Sequence, residues 1–234
     1  MTIAAIAVAW VTFSLGQWQL RRAAEKEHLQ MAIMVQSQRA VLGTSDVAQM
    51  RDFFGNNHRR VSLTGVWRTA NTLFLDNRPM GDKTGFWVYT PLALDGGDQV
   101  VLVQRGWVPR DFVDRTKLPK VQTPNGRVTV QGRIAPPPSK LYAFRGEDLG
   151  QIRQNIDVDA LRQETGLQLL AASVVQIGSP SEGLLRDWPA PDLGVDRHYG
   201  YAFQWFALFA LVIGLFVWYQ VVVPYRRSLK EPSR

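Results

Sequence analysis

Cysteine is absent from all 234 residues, which excludes disulfides, Cys-x-x-Cys redox chemistry and thiolate zinc or copper sites together. Any metal site must use histidine, methionine or oxygen ligands. Histidine is itself scarce: His28, His58 and His198 lie far apart and form no metal-ligand spacing. The motifs of nucleophilic and zinc hydrolases, Gly-x-Ser-x-Gly, Ser-x-x-Lys and His-Glu-x-x-His, are missing as well. The net charge is +7, yet Lys and Arg are scattered among Asp and Glu without a basic stripe or an RNA-binding signature, which argues against a nucleic-acid partner. No internal repeat is evident.

What the chain has instead is two long apolar runs, one at each end. The last begins at His198-Tyr199-Gly200-Tyr201 and continues to Val223 without Asp, Glu, Lys or Arg, long enough to cross a bilayer. The first, Ile3 to Leu15, closes with Gly16-Gln17-Trp18-Gln19-Leu20-Arg21-Arg22. A secretory signal wants basic residues before the run and a small-x-small site after it; here the basic pair follows and Trp18 marks an interface, so a retained span is expected. The lack of a basic residue before it suggests an N-terminus that is truncated or mis-started. The basic tail from Tyr225 to Lys230 assigns both ends to the cytoplasm by the positive-inside tendency, although Arg21 and Arg22 would then sit outside.

Between the spans the periodicity predicts an α+β membrane protein. Arg21–Leu42 reads as a helix stopped by Gly43, and Thr44–Met50 as a second short helix that gives out near Gly55. Period-two segments then predict strands over Arg60–Trp67, Thr72–Asn77, Phe86–Leu94, Val100–Pro109 and Arg127–Ile134. Gly81-Asp82-Lys83-Thr84-Gly85 lacks the spacing of a phosphate loop and reads as a hairpin turn. Pro136–Pro138 should be extended, Val158–Glu164 helical and closed by Gly166, and Leu169–Ile177 a last strand. The expected organisation is a first transmembrane helix (1–20), a helical extension and short helix (21–58), a β-rich extracytoplasmic domain forming a sandwich or small barrel (59–197), a second transmembrane helix (198–223) and a basic tail (224–234).

Within the β-rich part, Gly106 is expected to permit a bulge, Trp107 to pack the core, and Arg78 and Arg105 to pair with carboxylates or carbonyls. His28 and His58 read as solvated. His198 differs by its place at a membrane boundary, and two readings of it stand side by side. An imidazole there can be an axial haem ligand, with Tyr201, Ala202, Trp205 and Phe209 on its helical face as an apolar slot; Trp18, Arg21, Arg22 and Arg197 emerge at the same depth, the arginines suited to propionates. Equally, aromatics at a helix entrance form the usual interfacial belt and a histidine there merely snorkels. Gln204, inside the span, is expected to hydrogen-bond to the first span.

Taken in order, Leu15–Arg22 with Lys26, Gly65-x-Trp67, Leu75-Asp76-Asn77-Arg78-Pro79, Thr90-Pro91-Leu92, Val101-x-Val103-x-Arg105-Gly106-Trp107-Val108-Pro109, Gly132-x-Ile134 and His198-x-x-Tyr201-Ala202-x-Gln204-Trp205-Phe206 resemble the Surfeit-locus family of cytochrome c oxidase assembly factors, in a bacterial form. The resemblance implies a non-enzymatic membrane factor that binds haem a transiently and assists its insertion into the oxidase catalytic subunit, with His198 as iron ligand. A scaffold that steadies that subunit without holding haem is the alternative. Implied partners are the catalytic subunit, haem a synthase and membrane lipid; the implied location is the bacterial inner membrane, with the central domain periplasmic. Roles for Trp205, Tyr201, Trp18, Arg21, Arg22 and Arg197 at the haem rest on geometric expectation, not on the motif.

Overall fold

The computed structural model describes residues 2–111, 113–114, 117–138, 150–188 and 194–228, the side chains of 227 and 228 excepted. It divides into two compact units, Ile33–Ala190 and the paired terminal segments Met1–Ala32 with Pro191–Arg234. Much of the expected basic tail lies outside the described residues.

The central unit is built on a seven-stranded sheet: β1 (Arg60–Trp67), β2 (Leu73–Met80), β3 (Lys83–Leu94), β4 (Gln99–Pro109), β5 (Arg127–Ala135), β6 (Ile152–Arg153) and β7 (Gln168–Gln176). Five of these close a small barrel in the order β1-β5-β7-β4-β3, with β3 returning to β1. The twelve-residue β3 makes closure possible because its two halves have different neighbours: its start pairs with β2, while Leu92–Leu94 pairs with Trp67–Gly65 of β1. At that seam a Cβ on Gly65 would lie 2.1 Å from the Ala93 carbonyl oxygen, so only glycine lets the strands pinch together. Alternation along the strands sends Leu63, Leu92, Val101, Val103, Ile134 and Val174 into one buried core.

The barrel is thus the smaller of the two β architectures that the periodicity allows. The hairpin at Gly81–Asp82 is present, with Met80 paired to Lys83. β2 runs three residues past Asn77 because a bulge at Asp76–Asn77, with Asn77 at φ 59°, absorbs the irregularity and lets pairing resume at Arg78. α1 (Thr2–Gln38) ends before the expected Leu42, since Leu42 is captured by the barrel: its N–H donates to Arg60 O and its carbonyl accepts from Ser62 N. α2 (Thr44–Ala48) and α3 (Val158–Thr165) are the two short helices; Asp157 caps α3, and Gly166 ends it.

A bulge in β4 falls at Arg105, beside Gly106, where Val88 and Tyr89 face Gly106 and Gln104. The arginine is fully buried, with its guanidinium 4.8 Å from the Trp67 ring centroid; it donates to Glu182 Oε2 at 2.7 Å, Thr123 Oγ1 at 2.7 Å and Gln122 O at 3.1 Å. Trp107 is in the core and donates to Arg78 O, and Arg78 reaches Gln154 O. The chain after β7 is held to the barrel: Glu182 clasps Arg105, Leu184 is buried, and Leu185 exchanges both backbone hydrogen bonds with Trp107.

His58 departs from the solvated reading. It is half-buried at φ 68°, and its Nδ1 lies 3.2 Å from Arg133 Nη1. Burial first, and the Arg133 charge second, hold its pKa below the ordinary 6.5. Below pH 6.5 the unfolded chain takes up this proton before the folded one does, so stability falls as pH drops towards the folded value; above 6.5 the group contributes no pH dependence. His58→Asn, which tolerates the same backbone conformation, is expected to flatten that acid-side loss, as read from urea midpoints at successive pH.

Candidate functional site

α4 (Val195–Val217) begins three residues earlier than expected, so His198 stands on its first turn rather than ahead of it. Beyond Val217 the helix passes through a π-turn, Trp218–Val222, into α5 (Val223–Ser228), because Pro224 has no N–H to continue the α ladder. Tyr199 and Trp218 are separated by about 28 Å of helix rise, close to the hydrocarbon thickness of a bilayer. Thr2–Gln38 and Val195–Arg226 are each long and apolar enough to cross a membrane, which supports a membrane protein.

The terminal unit is a pair of helices, and the spacing of small residues in α1 decides how they meet. Ala9, Thr12, Gly16, Gln19 and Ala23 recur at alternating three and four positions and form its buried face. Phe206 of α4 fills the notch at Gly16: a Cβ there would stand 2.8 Å from the ring. Phe13 packs against Phe206 and Phe209, with ring centroids 5.7 and 5.4 Å apart. The Thr12 hydroxyl is returned to Val8 O and Ala9 O of its own helix.

One turn above Gly16 the apolar contact gives way to a polar one. Gln19 is buried, and its Oε1 lies 2.6 Å from His198 Nδ1. The Gln19 carbonyl oxygen is placed to accept from Nδ1–H, the tautomer that keeps the lone pair on Nε2. Next to it the Tyr199 hydroxyl donates to Glu27 Oε1 at 3.0 Å.

The other expected site residues are distributed around this centre. Trp205 is half-buried, as are His198 and Phe209, and Ala202 is buried. Tyr201 is about half exposed, away from the helix contact. Trp18 is exposed, with the Arg22 guanidinium 5.8 Å from its ring, and Arg22 also pairs with Glu25 at 2.8 Å. Arg21 and Arg197 are exposed. Gln204 is turned outward, contrary to expectation; the inter-helix amide is Gln19, which heptad counting from Ala9, Thr12 and Gly16 would have singled out. A cavity of about 300 Å³ opens between the helices but is lined by apolar residues such as Ala5, Ala9, Val212 and Phe216, about 15 Å of helix rise from Gln19, so it offers no ligand atom to a metal.

A family model described as the SURF1 family matches residues 6–210, which takes in most of α1, the barrel and the first part of α4. The chain belongs to the SURF1 family. Among its relatives are a SURF1-like protein of Rickettsia bellii, 26% identical over 94% of this chain and 90% of its own, and a SURF1-like protein of Drosophila melanogaster, 25% identical over 91% of this chain and 74% of its own. The yeast protein SHY1, named a cytochrome oxidase assembly protein, is 29% identical over 44% of this chain and 26% of its own length. The SURF1 match thus takes in Gln19 and His198 as well as the β domain.

Proposed function

We propose that this chain is a membrane-bound assembly factor for a haem–copper cytochrome c oxidase, one that holds haem a transiently at His198 and yields it to the catalytic subunit. The observation that carries the reading is the Gln19–His198 contact. A ligating histidine ordinarily donates its other ring nitrogen to a fixed acceptor, which sets the tautomer and orientation of the ring; Gln19 is placed to do this from the facing helix. Haem would supply a ligatable iron and two anionic propionates. His198 would offer Nε2, Trp205 and Tyr201 apolar surface, and Arg21, Arg22 and Arg197 cationic charge. Arg22 is shared with Glu25 and Trp18.

The work assigned to these residues is binding and orientation, not turnover. The family membership and the yeast relative's name support the assembly role. The bacterial relative and the two apolar helices support placement in a bacterial membrane; the reading takes this to be the inner membrane, with the β domain periplasmic, both termini cytoplasmic by the basic tail, and lipid, the oxidase subunit and haem a synthase as neighbours.

Protein purified from cells making haem a is expected to carry a Soret band that His198→Ala abolishes. Gln19→Leu should retain the ligand but weaken binding about 10–100-fold, the usual cost of losing a supporting hydrogen bond. An unchanged band in His198→Ala would remove the ligand assignment and leave the scaffold reading, in which the protein steadies the catalytic subunit without holding haem.

A further inference from the structure

One corner of the β domain gathers positive charge without neutralising it. Arg60 begins β1 and Arg133 is its direct cross-strand partner on β5, a placement that sheet stability disfavours. Beside them, Arg59 is fixed by Ala40 O and Asn56 Oδ1, and His58 lies against Arg133. Arg39 and Arg51, both exposed, flank the same turn, which Gln36 ties down by donating to Gly55 O.

Among the described residues none of these five guanidinium groups has a carboxylate within 4 Å, whereas Arg105, Arg127, Arg153 and Arg162 are each paired. Asp52 accepts from Gly55 N and Asp46 from Gly43 N; both keep their charge but form no ion pair with these arginines, so five cations face two acids. In the middle of the turn Phe54 is 87% exposed.

We propose that this corner docks an acidic segment of a protein partner. Arginine suits it chemically, since a planar fork held in place binds a carboxylate in bidentate fashion, and the cluster contains no lysine. Arg133, half-buried against His58, adds its charge behind the exposed Arg60. Phe54 supplies the apolar anchor. An exposed aromatic side chain in the turn that Arg51 and Arg59 bracket in sequence is suited to a protein–protein contact, whereas a membrane-docking face needs a broad apolar stripe.

The test uses the full chain in neutral-lipid nanodiscs, titrated with a fluorescent peptide of alternating glutamate and leucine. Binding is expected to weaken with salt, and to fall about tenfold or more in the triple variant Arg39→Glu, Arg51→Glu, Arg60→Glu; Phe54→Ala should also weaken it. These positions are exposed, so melting that does not fall will show that the fold survives; a glutamate facing Arg133 from position 60 should raise it slightly. A lysine–leucine peptide should not bind. Binding that is absent, or that the triple variant leaves unchanged, would overturn the proposal. So would arginine-dependent co-sedimentation with phosphatidylglycerol vesicles that exceeds peptide binding, which would assign the corner to lipid instead.

Discussion

Arg105→Ala is expected to destabilise the β domain by about 3 kcal/mol, the lower end of the range for breaking a buried ion pair. The side chain is fully buried within the bulge of β4, and its loss strands Glu182 and the Thr123 hydroxyl while opening a void over Trp67. The lower end applies because Glu182 retains 19% side-chain exposure and keeps Arg186 at 3.5 Å, so water and a second cation partly replace what is lost. Urea unfolding in detergent, followed by tryptophan fluorescence, would measure it. Arg105→Met with Glu182→Met should cost less than the sum of the two single changes, because both remove the same ion pair and Arg186 alone then lacks a carboxylate. A single-variant loss below about 1 kcal/mol would mean that the cluster contributes little.

The second large effect is expected at Gly16. Leucine there collides with the tip of the Phe206 ring, which stands 2.8 Å from the position of a Cβ and is itself packed against Phe13, so displacing the ring is expected to push the helices apart. Gln19 lies one turn above and would lose its reach to His198. Because the chain has no cysteine of its own, Ala9→Cys and Val212→Cys, which line one cavity between the helices, can report the pairing through a short thiol cross-linker. Gly16→Leu is expected to reduce the cross-link yield about tenfold and, on the proposed haem-holding reading, to abolish the Soret band with it. Full cross-linking in that variant would show that the pair tolerates the bulk.

Local chemistry made much of the fold legible in advance. Strand β1 and the start of β5 fall at the expected residues because period-two alternation and glycine punctuation are local properties. The bulge beside Gly106 and the core position of Trp107 were readable for the same reason. The short β6 was not, since two residues carry no periodicity and owe their pairing wholly to β2. The capture of Leu42 and the clasp of Glu182 on Arg105 were likewise invisible, being contacts across long stretches of chain.

By itself the sequence determined that this chain has two apolar helices, a β-rich middle and a family resemblance borne by ordered motifs, because each depends on residue type and short-range spacing. It also placed His198 at a helix entrance. Only the tertiary structure decided that the strands close into a barrel, that Gln19 rather than Gln204 faces the partner helix, and that Arg60 and Arg133 stand side by side. The physical reason is common to all three: a strand or helix offers several faces, and its folded neighbour selects which one is buried.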